Sequence, residues 1–123
     1  MATFNQPKDL GDLLLVEVAP GWTKEKATLL GGVNYAFGQV LAKVAGKFQV
    51  LDLAGTGAAK KAAAVLGEHI DATAGDTTGV AIARGAVIAT AELVWPEGIT
   101  ETQKSTALDE LNALGVVARA ALN

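Results

Sequence analysis

The chain has 123 residues, half of them apolar but including only three Phe, two Trp and one Tyr, so we expect a single domain with a core of mainly small aliphatic side chains. A net charge of −3, with the basic residues scattered along the chain, argues against nucleic acid as a direct partner. The absence of cysteine excludes disulfides, and the sequence shows neither a secretory leader nor a bilayer-length apolar run, so we expect a soluble, non-secreted protein without membrane contact.

Residues 1–12 are mostly polar, contain Pro7 and Gly11, and show neither a helical nor a strand period. Such a segment buries too little apolar surface to offset the entropy lost when its backbone is ordered. We therefore predict a flexible arm at 1–12, followed by a single domain at 13–123.

Short apolar runs separated by glycines predict strands in the first half of the domain. These strands lie at 13–18, 27–32, 38–44 and 47–51. Val44 and Phe48 alternate with lysines on either side of Ala45 and Gly46. This pattern predicts a tight hairpin centred on Ala45 and Gly46.

The apolar run at 62–67 has no period that separates a helix from a strand. The strand interpretation is favoured, because a glycine closes the run after few residues. Residues 80–95 predict two apolar strands that are joined or bulged at Gly85. The second of these strands ends at Trp95, because Pro96 cannot continue it.

One helix has clear start and stop signals in the sequence. Thr100 and Gln103 match the Ser/Thr-x-x-Glu/Gln capping box, and Gly115 stands where a C-terminal cap needs a left-handed residue. The helix is predicted over 100–114, and its apolar face consists of Ala107, Leu108, Leu111 and Leu114. A last short strand follows. Many short strands with one main helix predict a mainly β fold.

Two features could carry ligand binding or catalysis. The glycine loop at 55–57 lacks the third glycine of a dinucleotide fingerprint and the Gly-Lys-Ser/Thr ending of a P-loop, so a solvent-facing turn is the simpler interpretation. His69, the only histidine, has Glu68 and Asp71 beside it, but strand alternation places only Asp71 on its face. The alternative function is therefore a small ligand-binding β-domain or enzyme using His69, Asp71 and 55–57. A surface or oligomer-edge histidine is the simpler interpretation, and no metal or cofactor is predicted.

Trp22 and Trp95 are the only tryptophans, and two interpretations of them remain open. They either supply core volume that small side chains cannot, or anchor an interface, where Trp is enriched. Small side chains each bury little apolar area, so a core of this kind also favours oligomerisation.

The stretch "LVWPEGITETQKSTALDELNALGVVAR", set after "GVAIARGAVIATAE", resembles the bacteriophage head decoration proteins of the lambda type. In that family an apolar strand closes with Leu/Val-Trp-Pro-Glu, and a threonine- and lysine-containing helix and a short apolar strand follow. The segments "FNQPKDLGDLL" and "GQVLAKV" followed by "KFQVLD" look like the longer branch of the same family. The resemblance implies a small β-clip or β-tulip-like domain in which Trp95 and Pro96 fix the helix against the sheet.

The resemblance also implies a structural function without catalysis. The expected protein is a homotrimer that binds the major capsid protein outside the expanded icosahedral head, at threefold and quasi-threefold sites, and stabilises the head against internal DNA pressure. The protein is then expected in the host cytoplasm during assembly and on the outer capsid surface of the finished virion. The arm is implied to add a strand to the shell protein through Thr3, Phe4, Asn5, Gln6, Pro7, Lys8 and Leu10.

Overall fold

A computed structural model of the chain describes residues 14–17, 23–55 and 57–119. Within these residues the chain forms ten strands and one α-helix. The strands are β1 (Leu14–Glu17), β2 (Lys24–Leu29), β3 (Asn34–Tyr35), β4 (Val40–Val44), β5 (Lys47–Val50), β6 (Ala64–Leu66), β7 (Ile70–Asp71), β8 (Thr77–Ile82), β9 (Ala86–Ala89) and β10 (Val116–Arg119). The helix is α1 (Glu101–Ala113). The mainly β fold class is confirmed.

Five of the strands close into a small barrel, in the order β2-β5-β4-β6-β8. The barrel closes where β2 and β5 run parallel, with Leu29 opposite Phe48 and the backbone N–H of Leu30 donating to the Phe48 carbonyl at 2.8 Å. A separate three-stranded sheet has the order β1-β9-β10, with β1 antiparallel and β10 parallel to β9. Among the described strands, β3 and β7 pair only with each other.

The predicted hairpin joins β4 and β5, with Val44 opposite Lys47. Its two loop residues, Ala45 and Gly46, have φ angles of 53° and 85°. A two-residue loop with both residues left-handed matches the right-handed twist of the strands, which explains the glycine and the short connection. The hairpin prediction is confirmed.

Two apolar cores lie on opposite faces of β4, β6 and β8. Leu41 of β4 contributes to the core inside the barrel, while its neighbours Val40 and Ala42 contribute to a second core shared with α1 and the three-stranded sheet. The same alternation places Leu66 of β6 in the first core and Val65 in the second. Because both faces of β6 are buried, its sequence is a continuous apolar run, and the strand interpretation of 62–67 is confirmed.

The second strand predicted within 80–95 is shorter than expected. Strand β9 ends at Ala89, a 3₁₀ turn occupies Thr90–Glu92, and Val94 forms only an isolated bridge with Gln39. The chain thus leaves the three-stranded sheet and returns to the start of β4, where Val94 donates to the carbonyl of Gly38 at 2.8 Å. The prediction that this strand runs to Trp95 is wrong, because its backbone partner changes after Ala89.

Helix α1 begins as the sequence predicts. The Thr100 hydroxyl accepts from the Gln103 backbone N–H at 3.1 Å, and the Gln103 side-chain oxygen accepts from the Thr100 backbone N–H at 2.9 Å. Leu111 is fully buried, whereas Leu114 at the helix end is 43% exposed. Gly115 follows with a φ of 86°, which reverses the chain into β10.

Candidate functional site

The structure places His69 and Asp71 on the surface, at the start of the β3–β7 pair. The Asp71 carboxylate accepts hydrogen bonds from the backbone N–H and the hydroxyl of Thr73, at 3.1 and 2.7 Å. These bonds, with a smaller contribution from the charge of His69, lower the pKa of Asp71. Glu68 is also occupied, since its carboxylate accepts from the Val80 backbone N–H at 2.9 Å. The carboxylates beside His69 therefore stabilise a turn and a strand.

The glycine loop at 55–57 lies elsewhere. The Gly55 backbone N–H donates to the Asp52 carbonyl at 3.0 Å, and Gly57 opens a 3₁₀ turn, while Thr56 is outside the described residues. Gly57 lines a groove that includes neither His69 nor Asp71. The structure does not bring the three parts of the alternative site together. Across the described parts of the chain, no three His, Asp or Glu side chains are grouped to hold a metal ion.

Trp95 and Pro96 are both half-buried, at the junction before α1. The Trp95 ring packs against the core that contains Leu111 and Ile88. The Pro96 carbonyl accepts from the Ile99 backbone N–H at 3.3 Å, which closes the turn that leads to the capped helix. Trp95 thus contributes to the core that α1 and the three-stranded sheet share.

The other sequence-predicted site residues fall outside the residues that the structure describes. They are Trp22 and the arm residues Thr3, Phe4, Asn5, Gln6, Pro7, Lys8 and Leu10. The roles of these residues stay predictions.

A groove of about 480 Å³ runs between α1 and the segment that follows β5, and we call it the helix groove. The buried side chains of Leu51 and Ala107 form its floor together with Leu53. Lys60 and Lys61 are exposed on its rim. Leu51 and Ala107 are 56 positions apart in sequence, so no local motif indicates this groove.

A second surface feature lies where α1 turns into β10. Leu114 and Val117 are 43% and 40% exposed, and they stand beside the edge of the three-stranded sheet that β10 forms. Val117 alternates with the buried Val116, so it projects from the face that the core does not cover. No helix among the described residues is long and apolar enough to cross a membrane.

The sequence matches the family model of bacteriophage lambda head decoration protein D over residues 3–116. This match spans nearly the whole chain. The chain belongs to this family. A search of curated proteins finds no match. The protein is thus a bacteriophage head decoration protein, a structural component of the viral capsid, as the resemblance predicted.

The family match indicates which kind of surface is functional in this protein. The family is structural, so its functional surfaces are those that contact other subunits. The match begins at residue 3 and so includes the predicted arm. It ends at residue 116, the first residue of β10, so the exposed Val117 lies just beyond it.

Proposed function

We propose that this decoration protein binds as a homotrimer to the outside of the expanded head, at threefold and quasi-threefold sites, and stabilises the shell against internal DNA pressure. The observation that carries the proposal is the family match over residues 3–116. The partner is the major capsid protein, with no nucleic acid, membrane or cofactor involved. The protein acts on the virion surface after a period in the host cytoplasm during assembly.

The trimer is supported by the exposed apolar side chains beside β10. Strand β10 pairs only with β9 among the described strands, so its other edge is available for a neighbouring subunit. Contact between copies there would cover Leu114 and Val117. Both cores include many alanines, and each alanine buries little apolar area. Association of subunits would add to the apolar area that is buried.

The arm at 1–12 supplies the second contact in this proposal, through Thr3, Phe4, Asn5, Gln6, Pro7, Lys8 and Leu10. An extended segment can add a strand to an exposed sheet edge, and its main-chain hydrogen bonds then give affinity. The domain at 13–123 carries the remaining contacts. A segment that orders only on the shell loses conformational entropy at that step, so its binding depends on a matching edge in the partner.

The direct test is binding to expanded heads that lack decoration protein, read by co-sedimentation and by the temperature at which the heads release DNA. The wild-type protein should saturate the heads with three copies per threefold site and raise the release temperature. Deletion of residues 2–10 should leave the thermal melting of the free protein unchanged and abolish head binding. Wild-type protein that fails to bind would refute the function, and a truncated protein that binds normally would refute the role of the arm.

The trimer is tested by sedimentation equilibrium over a wide concentration range. Val117→Lys places a charge at the proposed contact, and Val80→Lys is the matched control, because Val80 is 36% exposed on the barrel. Self-association should weaken for Val117→Lys and remain for Val80→Lys. If the wild-type protein is a monomer at every concentration and also binds heads one copy at a time, the trimer is wrong.

A further inference from the structure

The helix groove has the size and chemistry of a binding site for part of another protein. Its volume of about 480 Å³ lies within the range of ligand pockets, and its floor is apolar. Leu51 and Ala107 are only 5% and 3% exposed, so they form a fixed surface on the second core rather than a mobile one. An apolar side chain of a partner could rest on this floor.

The polar groups of the groove are arranged to meet negative charge. Neither Lys60 nor Lys61 forms an ion pair with another described residue. The carboxylate of Glu110, which also lines the groove, accepts a hydrogen bond from the Ala62 backbone N–H at 3.0 Å. The groove therefore carries two lysines without an ion pair among the described residues and one carboxylate, an excess of one positive charge in a chain whose net charge is −3. An acidic group of a partner is attracted to this place.

Gln103 adds a directed hydrogen-bond donor. Its side-chain oxygen accepts from the Thr100 backbone N–H in the capping box, and only the oxygen of the amide can do so. This bond fixes the amide orientation and leaves the side-chain NH2 without a partner among the described residues. Gln103 lines the groove, so the NH2 can donate to a carbonyl or carboxylate of a bound segment.

We propose that the helix groove binds a surface segment of the major capsid protein in which an apolar side chain stands next to an acidic one. The apolar side chain lies on Leu51 and Ala107, and the acidic group pairs with Lys60 and Lys61. This inference rests on the proposed function and names a contact of the domain that is separate from the arm. Salt should weaken the contact, because its charged part is at an exposed rim.

The test measures binding to expanded heads that lack decoration protein, using four full-length variants. Thr106→Trp fills the groove, and Ser105→Trp is its control on the same helix, outside the groove lining. Lys60→Glu reverses a rim charge, and Lys26→Glu makes the same change on an exposed residue of β2. We expect Thr106→Trp and Lys60→Glu each to weaken binding by about tenfold, with the controls within about twofold of wild type.

The outcomes separate this inference from the proposed function. If the wild-type protein does not bind heads, the proposed function fails first. If the wild-type protein binds and Thr106→Trp and Lys60→Glu match their controls, the groove inference alone is wrong. Sedimentation of the free variants gives a second criterion: weakened self-association with unchanged affinity per copy for heads would assign the groove to a second copy of this chain and overturn the proposal. Thermal melting of each variant confirms that it is folded.

Discussion

Replacement of Gly38 by alanine tests the junction that holds β4 against the segment before α1. Gly38 has a φ of 84°, and a Cβ added there would lie closer than 3.0 Å to the carbonyl oxygen of Glu92. Backbone atoms cannot swing aside as a flexible side chain can. Either the segment at Gly38 or the segment at Glu92 must therefore move. Two backbone hydrogen bonds oppose this movement: the Val94 N–H donates to the Gly38 carbonyl at 2.8 Å, and the Val40 N–H donates to the Val94 carbonyl at 3.0 Å.

The hairpin glycine Gly46 provides the matched control. Its φ of 85° is nearly the same, but an added Cβ would meet no atom within 4 Å. The neighbouring Ala45 already adopts a φ of 53°, so this turn accepts alanine in a left-handed conformation. Both substitutions share the left-handed penalty of about 1 to 2 kcal/mol. The difference between them then reports the crowding at Gly38 alone.

The expected loss of stability in Gly38→Ala follows from the hydrogen bonds that the substitution strains. A displaced Glu92 carbonyl strains the two backbone bonds of Val94, and leaving a buried backbone group unsatisfied costs about 1 to 3 kcal/mol. We expect Gly38→Ala to be less stable than Gly46→Ala by about 2 to 4 kcal/mol, which lowers the melting temperature by on the order of 10 °C for a domain of this size. Urea unfolding and thermal melting of both variants measure this difference. Equal stabilities would show that the close approach of Gly38 and Glu92 does not constrain the fold.

Three further predictions concern single side chains. Trp95→Ala should lower the free energy of unfolding by about 2 to 4 kcal/mol, because the half-buried ring packs on the core that contains Leu111; a variant with wild-type melting and no head binding would instead make Trp95 an interface anchor. Burial, with a smaller effect of the charge of Asp76, raises the pKa of Tyr35 above its usual value near 10. The contribution of the neutral phenol to stability is therefore complete below pH 10 and is lost as the pH rises through the raised folded pKa. Because Tyr35 is the only tyrosine, the absorbance of tyrosinate should develop together with alkaline unfolding, and reversible ionisation near pH 10 in the folded protein would contradict this. Thr100→Ala should cost about 1 kcal/mol in urea unfolding by removing the cap, whereas Thr102→Ala, exposed in the first turn, should cost much less.

The elements that the sequence predicts best are those whose signals are local. The capping box of Thr100 and Gln103 and the turn at Ala45 and Gly46 each depend on residues a few positions apart, and both form as predicted. Strand ends are less local. Strand β9 stops at Ala89 because the segment after it forms a backbone hydrogen bond with Gly38, about fifty positions earlier. No pattern within residues 80–95 contains that information.

The division of the strands into a barrel and a separate sheet was also beyond the sequence pattern. In a strand with one buried face, apolar and polar residues alternate, and the apolar residues indicate which face lies inside. Val40, Leu41 and Ala42 are all fully buried, because one face of β4 lines the barrel and the other lies under α1. The sequence therefore indicates a buried strand without indicating that two cores meet there.

The burial of both faces also explains why the candidate binding surfaces lie at the periphery. The core inside the barrel is filled by side chains such as Leu29 and Leu41, both fully buried. The contacts with other subunits that we propose therefore involve the arm, the β10 edge and the helix groove. Exposed residues such as Lys60 and Val117 need no special spacing to make such contacts, so composition alone does not mark them. The roles proposed for them depend on the fold, which brings Leu51 and Ala107 to one groove and places Val117 on a strand that pairs with only one neighbour among the described strands. Substitutions at these surfaces should therefore change association with other subunits while leaving the two cores, and with them the stability of the free domain, nearly unaltered.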